Sequence, residues 1–271
     1  MHDAPLNQAT GLMGLACNAG CQLVGMASHG DDPTELPLLW QLCTALVGLG
    51  FGVTVLDATK NETANDPGLL ELLEYRFGYG ASEAEAPEWT VIPAAQGLHS
   101  LCNVHTHASM HRARNLERLG QLFGAQGVVI LYAGVDWIVQ LLGGTHARPV
   151  LTVSEEKNSL LTSYLALKRL LLKGGLRPTI LHMTGNTSTA NPCPDHSVAG
   201  HLTECARNFL NYDVQTIPID VAKDGAGANG EMRRLSMRLL EGAVRLSPSV
   251  AANGARARPL FALPEAQSRS H

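Results

Sequence analysis

The sequence predicts an α/β fold: a doubly wound, mostly parallel sheet flanked by helices. Three observations carry this. Short apolar runs bounded by turn residues alternate with longer segments of helical period, as do strands buried on both faces and their crossover helices. The first elements run strand, polar loop, helix, strand, an order that builds a right-handed crossover and parallel pairing. The length of 271 residues, 45% apolar, suits one domain of this type with a core of ordinary size.

Taken in order, residues 1–20 form a short polar-apolar arm. Strands are expected at 22–27, 53–57, 89–93, 127–132, 149–153, 179–183 and 214–218, each short, apolar and closed by turn residues. Helices are expected at 35–49, 67–77, 112–123, 136–142, 159–172, 197–208 and 231–246. Residues 78–88 are small and acidic and read as an exposed loop. Residues 247–271, rich in Ala, Arg, Pro and Ser with no sustained period, read as a disordered tail. The division is therefore an arm (1–20), one α/β domain (21–246) and a tail (247–271).

Composition excludes several functions. A net charge of −4 argues against general nucleic-acid affinity, which needs a basic face. Arg112, Arg114 and Arg118 form a small basic run that reads as a solvated helix face. No basic-then-apolar leader is seen and no run approaches about 18 apolar residues, so a cytoplasmic protein is expected. The six cysteines are then expected as free thiols. Cys17 and Cys21 lack the spacing of a zinc knuckle, and no second pair completes them. The charged fraction of 16% is low and leaves room for a partner interface. No Gly-x-Ser-x-Gly elbow or Cys-His-Asp set supports nucleophilic catalysis.

One metal candidate stands out. His99, Cys102, His105, His107 and His111 lie close together, and His107 and His111 would share a helix face. Surface histidines entering a helix account for the same pattern, and no metal is assigned to His105, His107 or His111.

The loop after the first strand carries the chemistry. It runs Ser28, His29, Gly30, Asp31, Asp32, Pro33, Thr34, Glu35. Its position is the one that cradles a nucleotide phosphate in strand–loop–helix scaffolds. Its composition opposes that task, with three carboxylates, one proline, one glycine and no lysine. Each carboxylate close to a phosphate would cost up to about 4 kcal/mol at an effective dielectric of about 20.

Over roughly residues 6–246 the sequence resembles the MinD/ParA group of deviant-Walker ATPases, and within it FlhG, the regulator of flagellar number. Five landmarks carry the resemblance. Residues 7–13 match an Asp-Gln-Ala-x-x-Leu-Arg element at Gln8, Ala9 and Leu12, with Asn7 and Met13 replacing its charged ends. In the P-loop pattern Gly30 stands at the signature lysine, Glu35 at the phosphate lysine and Leu36 at the magnesium-binding hydroxyl. Leu56-Asp57-Ala58-Thr59 follows Leu-Asp-Ala-Asp, and Asp57 equally suits a plain strand-end cap. In 128–134, Leu131 or Tyr132 takes the place of the Walker B aspartate, and Gly134 keeps the glycine that follows it. Residues 150–168 resemble the strand and helix that form the family's dimer and partner surface. Leu160, Leu161, Tyr164, Leu165 and Leu167 there have the spacing of core packing.

The resemblance implies a non-hydrolysing FlhG-like regulator of flagellar number, placement or assembly that acts through protein contacts. It implies no enzyme activity, no cofactor and no working nucleotide site, with Asp57 and Gly134 as remnants. The implied partner is an FlhF-like GTPase or another flagellar regulator, met through Gln8, Ala9, Gly11, Leu12, Tyr164 and Lys168. A homodimer, or a heterodimer with an active homologue, is compatible with it, as is recruitment to the cell pole or inner membrane face. The basic amphipathic segment 231–240 reads as the last packed helix, so membrane attachment is not favoured. Two alternatives remain: an active nucleotide-dependent switch of MinD/ParA type, and a BcsQ-like accessory of secretion or cellulose synthesis.

Overall fold

The computed structural model describes residues 20–75, 89–102, 108–124, 127–156, 158–184, 197–220 and 226–246. Its eight strands form one sheet: β1 (Cys21–Ser28), β2 (Val53–Asp57), β3 (Trp89–Pro93), β4 (Val128–Gly134), β5 (Val150–Val153), β6 (Thr179–Thr184), β7 (Thr216–Asp220) and β8 (Val244–Leu246). The order is β3-β2-β4-β1-β5-β6-β7, all parallel, and β8 pairs antiparallel with β1. The helices are α1 (Asp32–Val47), α2 (Leu69–Tyr75), α3 (Ala95–Cys102), α4 (Ala108–Phe123), α5 (Val135–Leu142), α6 (Ser159–Gly174), α7 (Val198–Leu210) and α8 (Ala226–Glu241).

Helices cover both faces. On one, α1 and α8 pack Leu38, Leu42, Leu46, Met232, Leu235 and Leu239 against Met26, Val55, Ile130 and Tyr132 of the sheet. On the other, α2 to α7 close over Leu23, Leu56, Val129, Leu131, Leu151 and Ile180. The central strands are buried on both faces, which is why they read as unbroken apolar runs.

β1 is the pivot. It pairs with β4 from Gln22 to Ser28, but on its other side β5 meets it only at Met26. β8 fills the remaining edge, with Leu246 opposite Cys21 and Val244 opposite Leu23. Crossovers diverge to either side of the carboxyl end of β1, and such a point is where an open α/β sheet forms its binding crevice.

Several elements differ from expectation: β7 runs Thr216–Asp220 and not 214–218, α4 begins at Ala108 and not 112, and three further differences have a clear cause. α1 begins at Asp32, not 35, because Pro33 is preset for the first turn and Asp32 and Glu35 complement the helix dipole there. The loop between β1 and α1 is therefore only residues 29–31: Ser28 ends β1, and Asp32, Pro33, Thr34 and Glu35 are helical. α3 was not expected: its Gly, His and Ser content is weakly helical, and burial of Leu98 and Leu101 holds it. The segment 231–246 is not one helix. α8 stops at Glu241, Gly242 turns the chain, and Val244 and Leu246 alternate with exposed Arg245 as strand β8.

Among the described residues, no helix is long and apolar enough to cross a membrane. Cys21, Cys43, Cys102 and Cys205 are free thiols. The arm with Gln8, Ala9, Gly11 and Leu12, the acidic loop, the tail, His105 and His107 lie outside the described residues, as does the side chain of His111 on α4.

Candidate functional site

The crevice at the end of β1 is filled by a buried polar network. Its centre is Glu35, fully buried in the first turn of α1. Oε1 accepts from the backbone amide of His29 at 3.0 Å and from that of Asp31 at 3.3 Å. Oε2 accepts from the hydroxyl of Tyr132 at 2.6 Å. Two backbone amides aimed at one carboxylate oxygen, at the start of a helix, are the arrangement with which such loops hold an anion.

Tyr132 reaches Glu35 because register places it on the α1 face near the end of β4. It is this residue, not Leu131, that points at the loop; Leu131 packs into the opposite core. Burial first, and then the hydrogen bond to Glu35, push the phenol well above the ordinary tyrosine range, while a hydrogen bond with Ser28 pulls the other way.

His29 ties the loop to the far side of the crevice. Its Nε2 lies 2.9 Å from the carbonyl oxygen of Thr152 and 3.1 Å from the Thr152 hydroxyl. Its Nδ1 lies 3.1 Å from the hydroxyl of Thr162 on α6. A carbonyl can only accept, so Nε2 is assigned the hydrogen. Nε2 also lies 3.4 Å from Glu35 Oε1. Asp31 adds a second tie: its carboxylate accepts from the Ser154 hydroxyl at 2.7 Å, and the Ser154 amide donates to Ser159 Oγ at 2.9 Å. Loop, β5 and the start of α6 thus form one connected unit.

The remaining predicted residues stand apart from this network. Asp57 Oδ1 accepts from the amide of Thr59 at 3.0 Å and its hydroxyl at 2.6 Å, the strand-end cap that its position allows. Gly134 precedes α5, whose start has no side-chain cap. Beside it an open groove of about 360 Å³ is lined by Ser28, His29, Trp137, Leu165 and Arg169 among others. On α6, Tyr164 is half-buried against the core and Lys168 is exposed. Leu167 packs inward as expected, but Leu161 and Leu165 do not: they are 63% and 45% exposed, because they lie on the outer side of the helix.

The loop differs from expectation in one respect. Its carboxylates were expected to face an incoming phosphate, whereas Glu35 turns inward and is satisfied by the protein, and Asp31 is held by Ser154. Thr152, Ser154 and Thr162 were not foreseen. Their only sequence signal was hydroxyl residues at the end of a strand and the start of a helix, which many proteins show without such a network.

Solved structures share this architecture. Cobyrinic acid a,c-diamide synthase from Mycobacterium smegmatis with bound ADP and magnesium is 14% identical, with a TM-score of 0.54, covering 84% of this chain and 98% of that one. The same synthase with a bound ATP analogue and magnesium has a TM-score of 0.52 at 14% identity, covering 84% and 98%. MinD, a cell division protein from Aquifex aeolicus, has a TM-score of 0.49 at 13% identity, covering 83% and 99%. What the chain shares with the synthase is the fold, a mostly parallel sheet flanked by helices on both faces. No family model matches the chain, and no curated protein matches its sequence.

These structures overturn the expectation of a chain with no enzyme activity and no cofactor. The shared fold is one on which a synthase holds ADP or an ATP analogue together with magnesium. The present residues fit such a ligand in part. The amides of His29 and Asp31 have the chemistry to hold a phosphate oxygen, and Glu35 stands at that spot.

Proposed function

We propose that this chain is a nucleotide-responsive switch of the MinD/ParA type, FlhG-like in role, that acts through protein contacts in controlling flagellar number or placement. The observation that carries the reading is the His29 bridge. One side chain joins the loop backbone to Thr162 on α6, so the loop and the exposed face of that helix share a hydrogen-bonded connection. A change in what the loop holds then alters the surface bearing Leu161, Leu165 and Lys168. The ligand class is a purine nucleotide with magnesium, taken from the synthase complexes of the same fold. The phosphates would lie on the amides of His29 and Asp31. The partner is an FlhF-like GTPase, engaged through Gln8, Ala9, Gly11 and Leu12, with Tyr164 and Lys168 as a second surface.

The test is calorimetric titration of the purified chain with ATP, ADP and GTP in magnesium, followed by binding to the GTPase with and without nucleotide. Saturable nucleotide binding that changes the affinity for the GTPase is expected. No binding at millimolar nucleotide would sink the switch. Unchanged affinity for the GTPase after deletion of residues 1–20 would sink the arm as its contact.

A further inference from the structure

The deepest buried acid among the described residues lies where the fold would otherwise hold an external anion. Glu35 has no exposed surface, and among the described residues no lysine or arginine pairs with it. Its partners are two loop amides, the His29 ring and one phenol. A buried carboxylate without a cation needs such donors to offset its desolvation. The loop supplies them with the amides that would otherwise meet a phosphate oxygen.

We propose that Glu35 is an autoinhibitory latch: its carboxylate is the loop's own anion, and Tyr132 holds it in place against an incoming phosphate. This deepens the switch reading above and rests on it for the identity of the natural ligand, but the latch itself concerns any phosphate-type anion. The geometry explains the charge reversal of the loop. A carboxylate two bonds beyond Cβ, on the first turn of α1, reaches back to His29 and Asp31 without backbone strain, since the positive φ in the loop falls on Gly30. The hydroxyl of Tyr132 meets the second oxygen, so the carboxylate is held at both ends. Rotation of Glu35 out of the crevice would break the bonds to both amides and to the phenol together, and would leave the two amides free for another anion. Because His29 donates its backbone amide to Glu35 and lends its ring to Thr152 and Thr162, opening the latch also loosens the tie to β5 and α6.

The experiment compares wild type, Glu35→Ala and Tyr132→Phe, each confirmed folded by circular dichroism, in calorimetric titrations with pyrophosphate. Glu35→Ala removes the resident anion. Tyr132→Phe leaves it in place and removes its holder, so it stands in should the alanine variant fail to fold. The latch predicts that pyrophosphate binds Glu35→Ala at least about tenfold more tightly than wild type, a difference of about 1.4 kcal/mol, with Tyr132→Phe between them. Equal affinity in all three proteins, or no binding in any folded variant, overturns it. The two proposals separate cleanly. A wild type that binds magnesium nucleotide, with no gain in the variants, keeps the switch and discards the latch. Pyrophosphate binding by the variants, with no nucleotide binding by any form, keeps the latch and discards the nucleotide.

Discussion

The hydroxyl of Tyr132 donates to the carboxylate of Glu35 at 2.6 Å and joins the end of β4 to the first turn of α1. Both side chains are buried, so neither can replace the bond with water. Tyr132→Phe keeps the ring's packing and leaves Glu35 Oε2 short of this donor. A buried acceptor left without its partner costs about 1–3 kcal/mol. The unfolding midpoint in urea is expected to fall accordingly with little change in slope. An unchanged midpoint would mean that water enters the crevice and takes over the bond.

The same bond sets a pH dependence. Burial, then the hydrogen bond to Glu35, raises the pKa of Tyr132 in the folded chain. In the unfolded chain a tyrosine ionises near about 10. The unfolded state therefore releases its proton first as pH rises. The contribution is fully present below about pH 10 and is lost as pH climbs from there toward the higher folded value. Urea midpoints taken across this range should fall more steeply for wild type than for Tyr132→Phe. Parallel curves would show that Tyr132 ionises as freely in the native state as in the unfolded one.

The sheet was legible because its central strands are buried on both faces: runs such as Val53–Asp57 and Val128–Gly134 leave little choice of element. β8 was hidden by its length of three residues, which follow Gly242 so closely that they read as the end of α8. The site was legible only as a place. The residues of the loop show that carboxylates replace lysine, but not that one of them turns inward. That depends on Tyr132, at a sequence separation of 97, arriving beside Glu35 through strand register. His29 gave no signal at all, since its partners Thr152 and Thr162 lie on β5 and α6.

A second buried acid makes a purely structural prediction. Glu62 accepts from the amide of Gln96 at 2.7 Å through Oε2 and from that of Gly97 at 2.8 Å through Oε1. It thus caps the start of α3, a helix of weak intrinsic propensity, from outside that helix. Loss of a capping acceptor costs about 0.5–2 kcal/mol. Glu62→Ala should lower the melting temperature and speed hydrogen exchange at the amides of Gln96 and Gly97 while sparing those of α1. Exchange that stays slow at both amides would show that α3 is held by Leu98 and Leu101 alone.

Gly97 sits where α3 crosses closest to α2, and two effects compete there. Alanine is favoured over glycine inside a helix by about 1 kcal/mol. A Cβ at this position, however, would lie 2.6 Å from Leu69 Cβ and 2.7 Å from the backbone nitrogen of Leu70. Neither neighbour is the flexible end of a side chain, so the two helices would have to move apart. Overpacking of that kind costs about 1–3 kcal/mol, which exceeds the propensity gain over most of its range. It would also pull Gly97 from the Glu62 carboxylate that its amide now meets. Gly97→Ala is therefore expected to destabilise the chain, and in combination with Glu62→Ala to cost less than the sum of the two, because each disturbs the same contact. Stabilisation by Gly97→Ala in urea unfolding would mean that α2 and α3 are packed more loosely than these distances require.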